Sequence, residues 1–258
     1  MAKIHEIDGW INGVQEEIID PSREIVDPHH HLWHAPENPP GIKESYRYLL
    51  EDLWSDTCSG HNIKKTVFID CGQEYFKEGP EQFKPVGETE FVVKIAKQAQ
   101  EDLSKAQICG IVGHANMMLG TSVKEVLEMH LEKGEGLFRG IRHAGGWDED
   151  DRVKNAHSHP TPHIYLEDNF QLGLEELSSM NMVFDTWHYH NQIKDLTELA
   201  KNLPELIIIH DHFGGPLGIG PYKNKREEIF EKWKEDILEL SKCPNVYSKL
   251  GGLAMPVN

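Results

Sequence analysis

The sequence has few cysteines, and their spacing excludes two classes of protein. The chain of 258 residues contains four, and none of them forms a C-x-x-C pair: Cys58, Cys71, Cys109 and Cys243. A disulfide-stapled secreted domain and a zinc ribbon both require cysteines at closer and more regular spacing. We therefore interpret the four cysteines as reduced residues that pack in apolar segments.

Positive charge and long apolar runs are also scarce. Lys and Arg total 26 against 43 Asp and Glu, which gives a formal net charge of −17. Such a surface repels phosphate backbones and anionic lipids, so we exclude nucleic acids and membranes as partners. No stretch approaches the length of a membrane span, and the first residues lack the apolar core of a signal peptide, so we expect a cytoplasmic protein.

What the sequence does contain is an alternation of short apolar runs with longer helical patterns. We predict seven strands, at about Glu24–Pro28, Lys65–Cys71, Ile108–His114, Leu137–His143, Met182–Thr186, Leu206–Ile209 and Asn245–Leu250. A helix is predicted over Glu88–Ser104, with Leu103 closing its buried stripe, and another after Ser122, which forms a capping box with Glu125. This alternation favours a parallel sheet with helical crossovers, in one domain over residues 1–258.

A histidine pair, His29 and His31, lies at the end of the first predicted strand. In an extended segment alternate side chains share a face, so His29 and His31 point the same way while His30 points to the other face. Two imidazoles on one face provide half of a site for zinc or a similar ion. With 16 histidines in the chain, chance clustering is the alternative that this pattern alone leaves open.

Polar side chains gather where the predicted strands end. They are His29, His31, Glu74, His114, Arg142, His190 and His212. In a (β/α)8 TIM barrel the active site lies at the carboxyl ends of the strands, so that fold would bring all of them into one mouth. A doubly wound open sheet is the alternative, although no glycine-rich phosphate loop follows the first strand.

Five motifs resemble, in this order, the strand-end motifs of the amidohydrolase-related TIM-barrel hydrolases, the amidohydrolase 2 family. They are Asp27–Trp33, Phe138–His143, Phe184–Gln192, Asp211–Pro216 and Val246–Gly252. The resemblance is greatest to the lactonase-like branch. It implies hydrolysis of a lactone or related cyclic ester or amide by carbonyl polarisation and water attack, with a small acid or lactone as substrate. A metal-dependent decarboxylase of an unsaturated or aromatic acid and a non-catalytic binding protein are the alternatives.

The resemblance also implies roles for individual residues. His29 and His31 match the metal-ligand pair of the family, and His190 would complete a set for a divalent ion, zinc or manganese. Relatives without a metal use the same pair to polarise the substrate. His212 would polarise the substrate carbonyl, and Asp211 beside it would orient a histidine.

Substrate recognition is assigned to two further residues. The planar guanidinium of Arg142 suits a carboxylate on a lactone acid, with an ion pair at the barrel rim as its alternative role. Glu74 is expected to line the mouth because of its position after the second strand. The polar loop over residues 147–163 is too long for a simple connector, so we expect a lid or substrate loop, with His157 in solvent.

In the family that the motifs resemble, an eighth strand carries a catalytic carboxylate, and this sequence does not reach such a strand. We therefore expect a TIM barrel that ends after its seventh strand, with little activity in this chain. An incomplete barrel leaves two unpaired strand edges, which would favour a homo-oligomer.

Overall fold

The computed structural model describes residues 16–34, 47–253, 255 and 257, and within them seven strands form one parallel sheet. The strands are β1 (Glu24–His30), β2 (Asn62–Ile69), β3 (Gln107–Gly113), β4 (Phe138–Arg142), β5 (Val183–Thr186), β6 (Ile208–His210) and β7 (Val246–Ser248). Their spatial order follows the chain from β1 to β7. The predicted parallel sheet is confirmed, and a doubly wound sheet is excluded because its strand order would reverse.

Helices connect the strands and cover one side of the sheet. In the described ranges they are α1 (Leu50–Thr57), α2 (Val86–Ala99), α3 (Val123–Gly134), α4 (Asp168–Ser179), α5 (Ile193–Asn202) and α6 (Arg226–Leu240). Apolar side chains from several strands, such as Phe68, Ile111 and Phe184, are fully buried in one core with helix residues such as Leu127 and Leu174. No described helix has the length and apolar content to cross a membrane.

The sheet curls until its first and last strands approach each other at their carboxyl ends. Lys249 follows β7, and its Nζ lies 3.2 Å from Nδ1 of His29 on β1. Among the described residues, however, β1 pairs with β2 alone and β7 pairs with β6 alone. The fold is therefore TIM-barrel-like, with parallel strands curled around a shared interior and open between β7 and β1.

The second helix is shorter than the sequence predicts. It ends at Ala99, because the carboxylate of Asp102 accepts hydrogen bonds from the backbone amide and hydroxyl of Ser104, at 3.0 and 2.6 Å. The side-chain amide of Gln107 also donates to the carbonyl of Ala99, at 3.0 Å. These bonds turn the chain away from the core. The prediction that Leu103 closes the buried stripe is therefore wrong, since its side chain is 77% exposed.

The third helix begins where the sequence predicts, but by a different mechanism. A 3-10 segment, Met117–Ser122, leads directly into α3, so Ser122 already has helical backbone angles. Its hydroxyl makes no capping hydrogen bond to the helix. The position of the helix is confirmed, whereas the predicted capping box is wrong.

The strands β4 and β5 approach each other so closely at Gly140 that no side chain fits there. A Cβ at this position would overlap the carbonyl oxygen of Val183 and lie 2.6 Å from its Cγ2. We expect Gly140→Ala to lower the free energy of unfolding by about 2–3 kcal/mol, because the paired backbones must separate. Urea unfolding measures this loss.

The matched control is Gly251→Ala, at an exposed position where a Cβ would meet nothing within 4 Å. It should change the free energy of unfolding by less than about 0.5 kcal/mol. Equal losses in the two variants would contradict the steric argument.

Candidate active site

Charged and imidazole side chains converge at the carboxyl ends of the strands. His29 lies in β1, Arg142 ends β4 and Asp185 lies in β5, while Asp70 and Asp211 directly follow β2 and β6. The three carboxylates are each at most 1% exposed. Because parallel strands end at the same rim, residues far apart in the chain meet here in a buried polar cluster.

The histidine pair is arranged as the alternation of β1 predicts. His30 points to the other face, where its ring contacts Phe68. Nδ1 of His31 lies 2.8 Å from the carbonyl oxygen of Ile69, so this nitrogen carries the proton and Nε2 keeps its lone pair. Nε2 of His29 lies 3.2 Å from Nε2 of His31. The two rings therefore present nitrogen atoms to one point in the interior.

Lys249 joins this pair to the carboxylates. Its Nζ lies 2.5 Å from Oδ2 of Asp185, 2.9 Å from Oδ1 of Asp211 and 3.2 Å from Nδ1 of His29. The lysine side chain is 10% exposed. One buried ammonium group therefore compensates two carboxylates and donates to the imidazole of His29.

Arg142 occupies the centre of the cluster. Its Nε lies 3.8 Å from Oδ2 of Asp70, and its Nη1 lies 3.8 Å from Oδ2 of Asp211. Nη2 also donates to the backbone carbonyl of Asp70. The guanidinium is thus turned toward the protein's own groups, an arrangement that favours the ion-pair role of Arg142.

Burial and neighbouring charges shift the protonation equilibria of the cluster. Burial, reinforced by Lys249, lowers the pKa of His29 to about 2, so its ring is neutral. Burial and the adjacent Asp211 carboxylate raise the pKa of Asp185 to about 7, against the opposing effect of Lys249. Burial alone would raise the pKa of Asp70, but His114 and Arg142 hold that pKa below its ordinary value.

His212 faces the same interior from the loop after β6. It and the next residue have positive φ angles, 51° and 55°, which turn the chain sharply at this point. The His212 ring centre lies 4.7 Å from that of His29, and its Nδ1 is buried without a hydrogen-bond partner. One donor atom each from His29, Asp211 and His212 lie within 4.8 Å of one another. Two imidazoles and a carboxylate are a donor set that fits a divalent ion such as zinc.

Two predicted site residues lie outside this cluster. The carboxylate of Glu74 is 2.8 Å from Nδ1 of His34 at the protein surface, and the next residue, Tyr75, reaches the interior instead with a 2.9 Å hydrogen bond to Asp70. His190 begins a 3-10 turn after β5 and contacts the ring of Tyr222. The structure therefore places Glu74 and His190 in contacts apart from the histidine pair.

The sequence reasoning assigned no role to three residues that the structure places at the centre. Asp70, Asp185 and Lys249 all lie within or directly after short apolar strands, and this position is the signal that could have identified them. Asp70 also belongs to a second group of donors with His114 and His157, whose donor atoms lie within 4.8 Å of one another. His157 is exposed as predicted, but its ring faces other donors as well as solvent.

A curled sheet of parallel strands with its polar side chains at the carboxyl rim places the chain in the TIM-barrel-like class. Residues 26–256 match the family model described as Amidohydrolase, and the chain therefore belongs to the amidohydrolase family. This result confirms the resemblance carried by the strand-end motifs.

Individual proteins similar to the chain include one sequence relative and two crystal structures. The uncharacterized protein y4mH of Sinorhizobium fredii is 28% identical over 245 residues, covering 90% of this chain and 73% of that protein. An amidohydrolase from Burkholderia multivorans with bound zinc has a TM-score of 0.64 at 19% identity, and the match covers 88% of this chain and 69% of the Burkholderia chain. A probable 2-pyrone-4,6-dicarboxylic acid hydrolase from Acinetobacter baumannii has a TM-score of 0.53 at 15% identity, covering 88% and 70%. At these identities the crystal structures support the fold.

Proposed function

We propose that the protein hydrolyses a lactone or a related cyclic ester in the mouth formed by the strand ends. The proposal rests on the convergence of donor atoms from His29, Asp211 and His212 within 4.8 Å. Imidazole and carboxylate groups at one point can polarise a carbonyl and accept a proton from water. The structural similarity to a 2-pyrone-4,6-dicarboxylic acid hydrolase supports the substrate class, because a 2-pyrone is a cyclic ester.

The same three residues, together with His31, would hold a divalent ion. His29, His31 and His212 would supply imidazole nitrogens and Asp211 a carboxylate oxygen, and the zinc of the Burkholderia protein supports zinc as the ion. When bound, such an ion supplies a Lewis acid and lowers the pKa of a coordinated water. The proton on Nδ1 of His31, fixed by the carbonyl of Ile69, leaves Nε2 free for this role.

The reaction we assign begins with water attacking the carbonyl carbon of the lactone. Asp211 accepts the proton that the water loses, while the imidazole of His212 helps to polarise the carbonyl as negative charge develops on its oxygen. Cleavage of the ring C–O bond releases an alkoxide, which takes the proton back from Asp211 to give a hydroxy acid. Lys249 positions Asp211 through its 2.9 Å contact with Oδ1.

The first test is turnover of lactones by the zinc-loaded chain, with His212→Asn as the variant. We expect His212→Asn to reduce kcat by at least about 10²–10³-fold, because the variant loses the imidazole that helps to polarise the carbonyl and that would also be a ligand of the ion. Acid release from a panel of aldonolactones and 2-pyrones is followed by pH-stat titration, and the ring-opened acid is identified by NMR.

The control is His61→Asn, which changes an exposed histidine directly before β2 and should leave kcat unchanged. If His212→Asn and the unchanged chain turned over lactones equally, the assignment of this site would fail. Release of carbon dioxide from an unsaturated or aromatic acid, without lactone hydrolysis, would replace the proposal with a decarboxylase.

A further inference from the structure

A second group of metal-ligand side chains lies on the opposite side of Arg142 from the first. It consists of Asp70 after β2, His114 after β3 and His157 in the loop over residues 147–163. One donor atom from each lies within 4.8 Å of the other two. We propose that these three residues form a binding site for a second divalent transition-metal ion, zinc by their donor chemistry.

The carboxylate of Asp70 has a buried oxygen that makes no hydrogen bond. The residue is 0% exposed, and its Oδ1 accepts a 2.9 Å hydrogen bond from the hydroxyl of Tyr75. Its Oδ2 is buried without a hydrogen-bond partner, and Nε of Arg142 lies 3.8 Å away from it. A buried carboxylate oxygen without a hydrogen bond is costly unless a ligand completes it.

The ring of His114 is oriented for coordination. Its Nδ1 lies 2.9 Å from the carbonyl oxygen of Arg142, so this nitrogen carries the proton and Nε2 offers a lone pair. The backbone of His114 is held in turn, because its carbonyl accepts a 3.0 Å hydrogen bond from His130, which contacts Thr89 at 2.8 Å. Metal-binding histidines characteristically have their second nitrogen fixed by such a partner.

His157 is exposed but held in place by its two neighbours. The backbone amide of Ala156 donates to the carbonyl of Gly146 at 2.8 Å, and the hydroxyl of Ser158 donates to the carbonyl of Ala144 at 2.5 Å. These bonds attach the loop to the segment after β4 on both sides of the histidine. The ring of His157 is thereby held 6.0 Å, between ring centres, from that of His114.

The second site is separate from the first. The guanidinium of Arg142 lies between Asp70 and Asp211, 3.8 Å from a carboxylate oxygen of each. Ions that act as a two-metal centre lie about 3.5–4 Å apart, and here a cationic side chain separates the two groups. Two imidazoles and one carboxylate match the three protein ligands of an open zinc site, with a fourth position for water or an oxygen of the substrate.

The test counts zinc in the whole chain. Protein stripped with a chelator is dialysed to equilibrium against zinc, and the bound zinc is measured by elemental analysis, with isothermal titration calorimetry for affinity. We expect about two equivalents of zinc in the unchanged chain and about one in His157→Asn. The two ligands that remain in the variant should bind zinc at least about 100-fold more weakly than the three ligands of the unchanged chain. His157 lies on an exposed loop, so the variant keeps its fold, which circular dichroism verifies.

The matched control is His159→Asn, which changes another exposed histidine of the same loop; asparagine tolerates the positive φ of 51° at this position. It should bind as much zinc as the unchanged chain, whereas His212→Asn should lose the other equivalent. Equal amounts of bound zinc in His157→Asn and His159→Asn would overturn the proposal. It would also be overturned if the unchanged chain bound no more than one equivalent and only His212→Asn lost it. The zinc count does not depend on lactone turnover, so this inference can fail while the proposed hydrolysis stands.

Discussion

Replacing Arg142 by methionine should lower the free energy of unfolding by about 3–5 kcal/mol, because the buried carboxylate of Asp70 loses its cationic partner and Asp211 keeps only Lys249. The guanidinium lies 3.8 Å from carboxylate oxygens of both Asp70 and Asp211, and neither carboxylate is more than 1% exposed. Methionine fills similar volume, so the loss measures charge compensation more than packing. Urea unfolding at neutral pH gives the value.

The same strand offers the control. Arg139 is exposed in β4, three residues before Arg142, and Arg139→Met should change the free energy of unfolding by less than about 0.5 kcal/mol. If the charge argument holds, the double variant Arg142→Met/Asp70→Asn should recover part of the loss, because one of the uncompensated carboxylates is gone. An Arg142→Met protein as stable as Arg139→Met would contradict a central role for this ion pair.

The fold could be predicted because its signals are local. The apolar run Val67–Ile69 ends at a polar residue, and similar runs recur before each predicted helix, so seven strands and their parallel order follow from short stretches of chain. Element ends were harder to predict. Leu103 continues the helical period of apolar residues, and the bonds of Asp102 and Gln107 that end the helix depend on tertiary context.

The site could be predicted only where one strand supplies both members of a pair. Alternation along β1 is sufficient to place His29 and His31 on one face. Lys249 is 220 residues from His29 in the chain, and its contact depends on how far the sheet curls, which no local pattern encodes. His190 shows the limit of such a pattern, because this residue after β5 is buried against the ring of Tyr222 and apart from the histidine pair.

The cluster contains three buried carboxylates and two buried cations. Each cation should therefore contribute more to the free energy of unfolding than a charge on the surface. Lys249→Met should lower the free energy of unfolding by about 3–5 kcal/mol at pH 8, because Asp185 and Asp211 are left close together with less compensation. Lys234→Met, on an exposed part of α6, should cost less than about 0.5 kcal/mol.

The pH dependence of Lys249→Met distinguishes lost charge compensation from lost packing. The pKa of Asp185 is already raised to about 7 by burial and by Asp211, and removing the ammonium group raises it further. In the unfolded chain this carboxyl titrates near its ordinary value of about 3.9. Between those two pKa values the folded state binds a proton that the unfolded state lacks, so the variant gains stability as the pH falls from 8 toward 5. We therefore expect the difference in unfolding free energy between Lys249→Met and the unchanged chain to shrink by about 1–2 kcal/mol over that range, as measured by urea unfolding at each pH. A difference that stays constant with pH would instead assign the loss to packing of the lysine side chain.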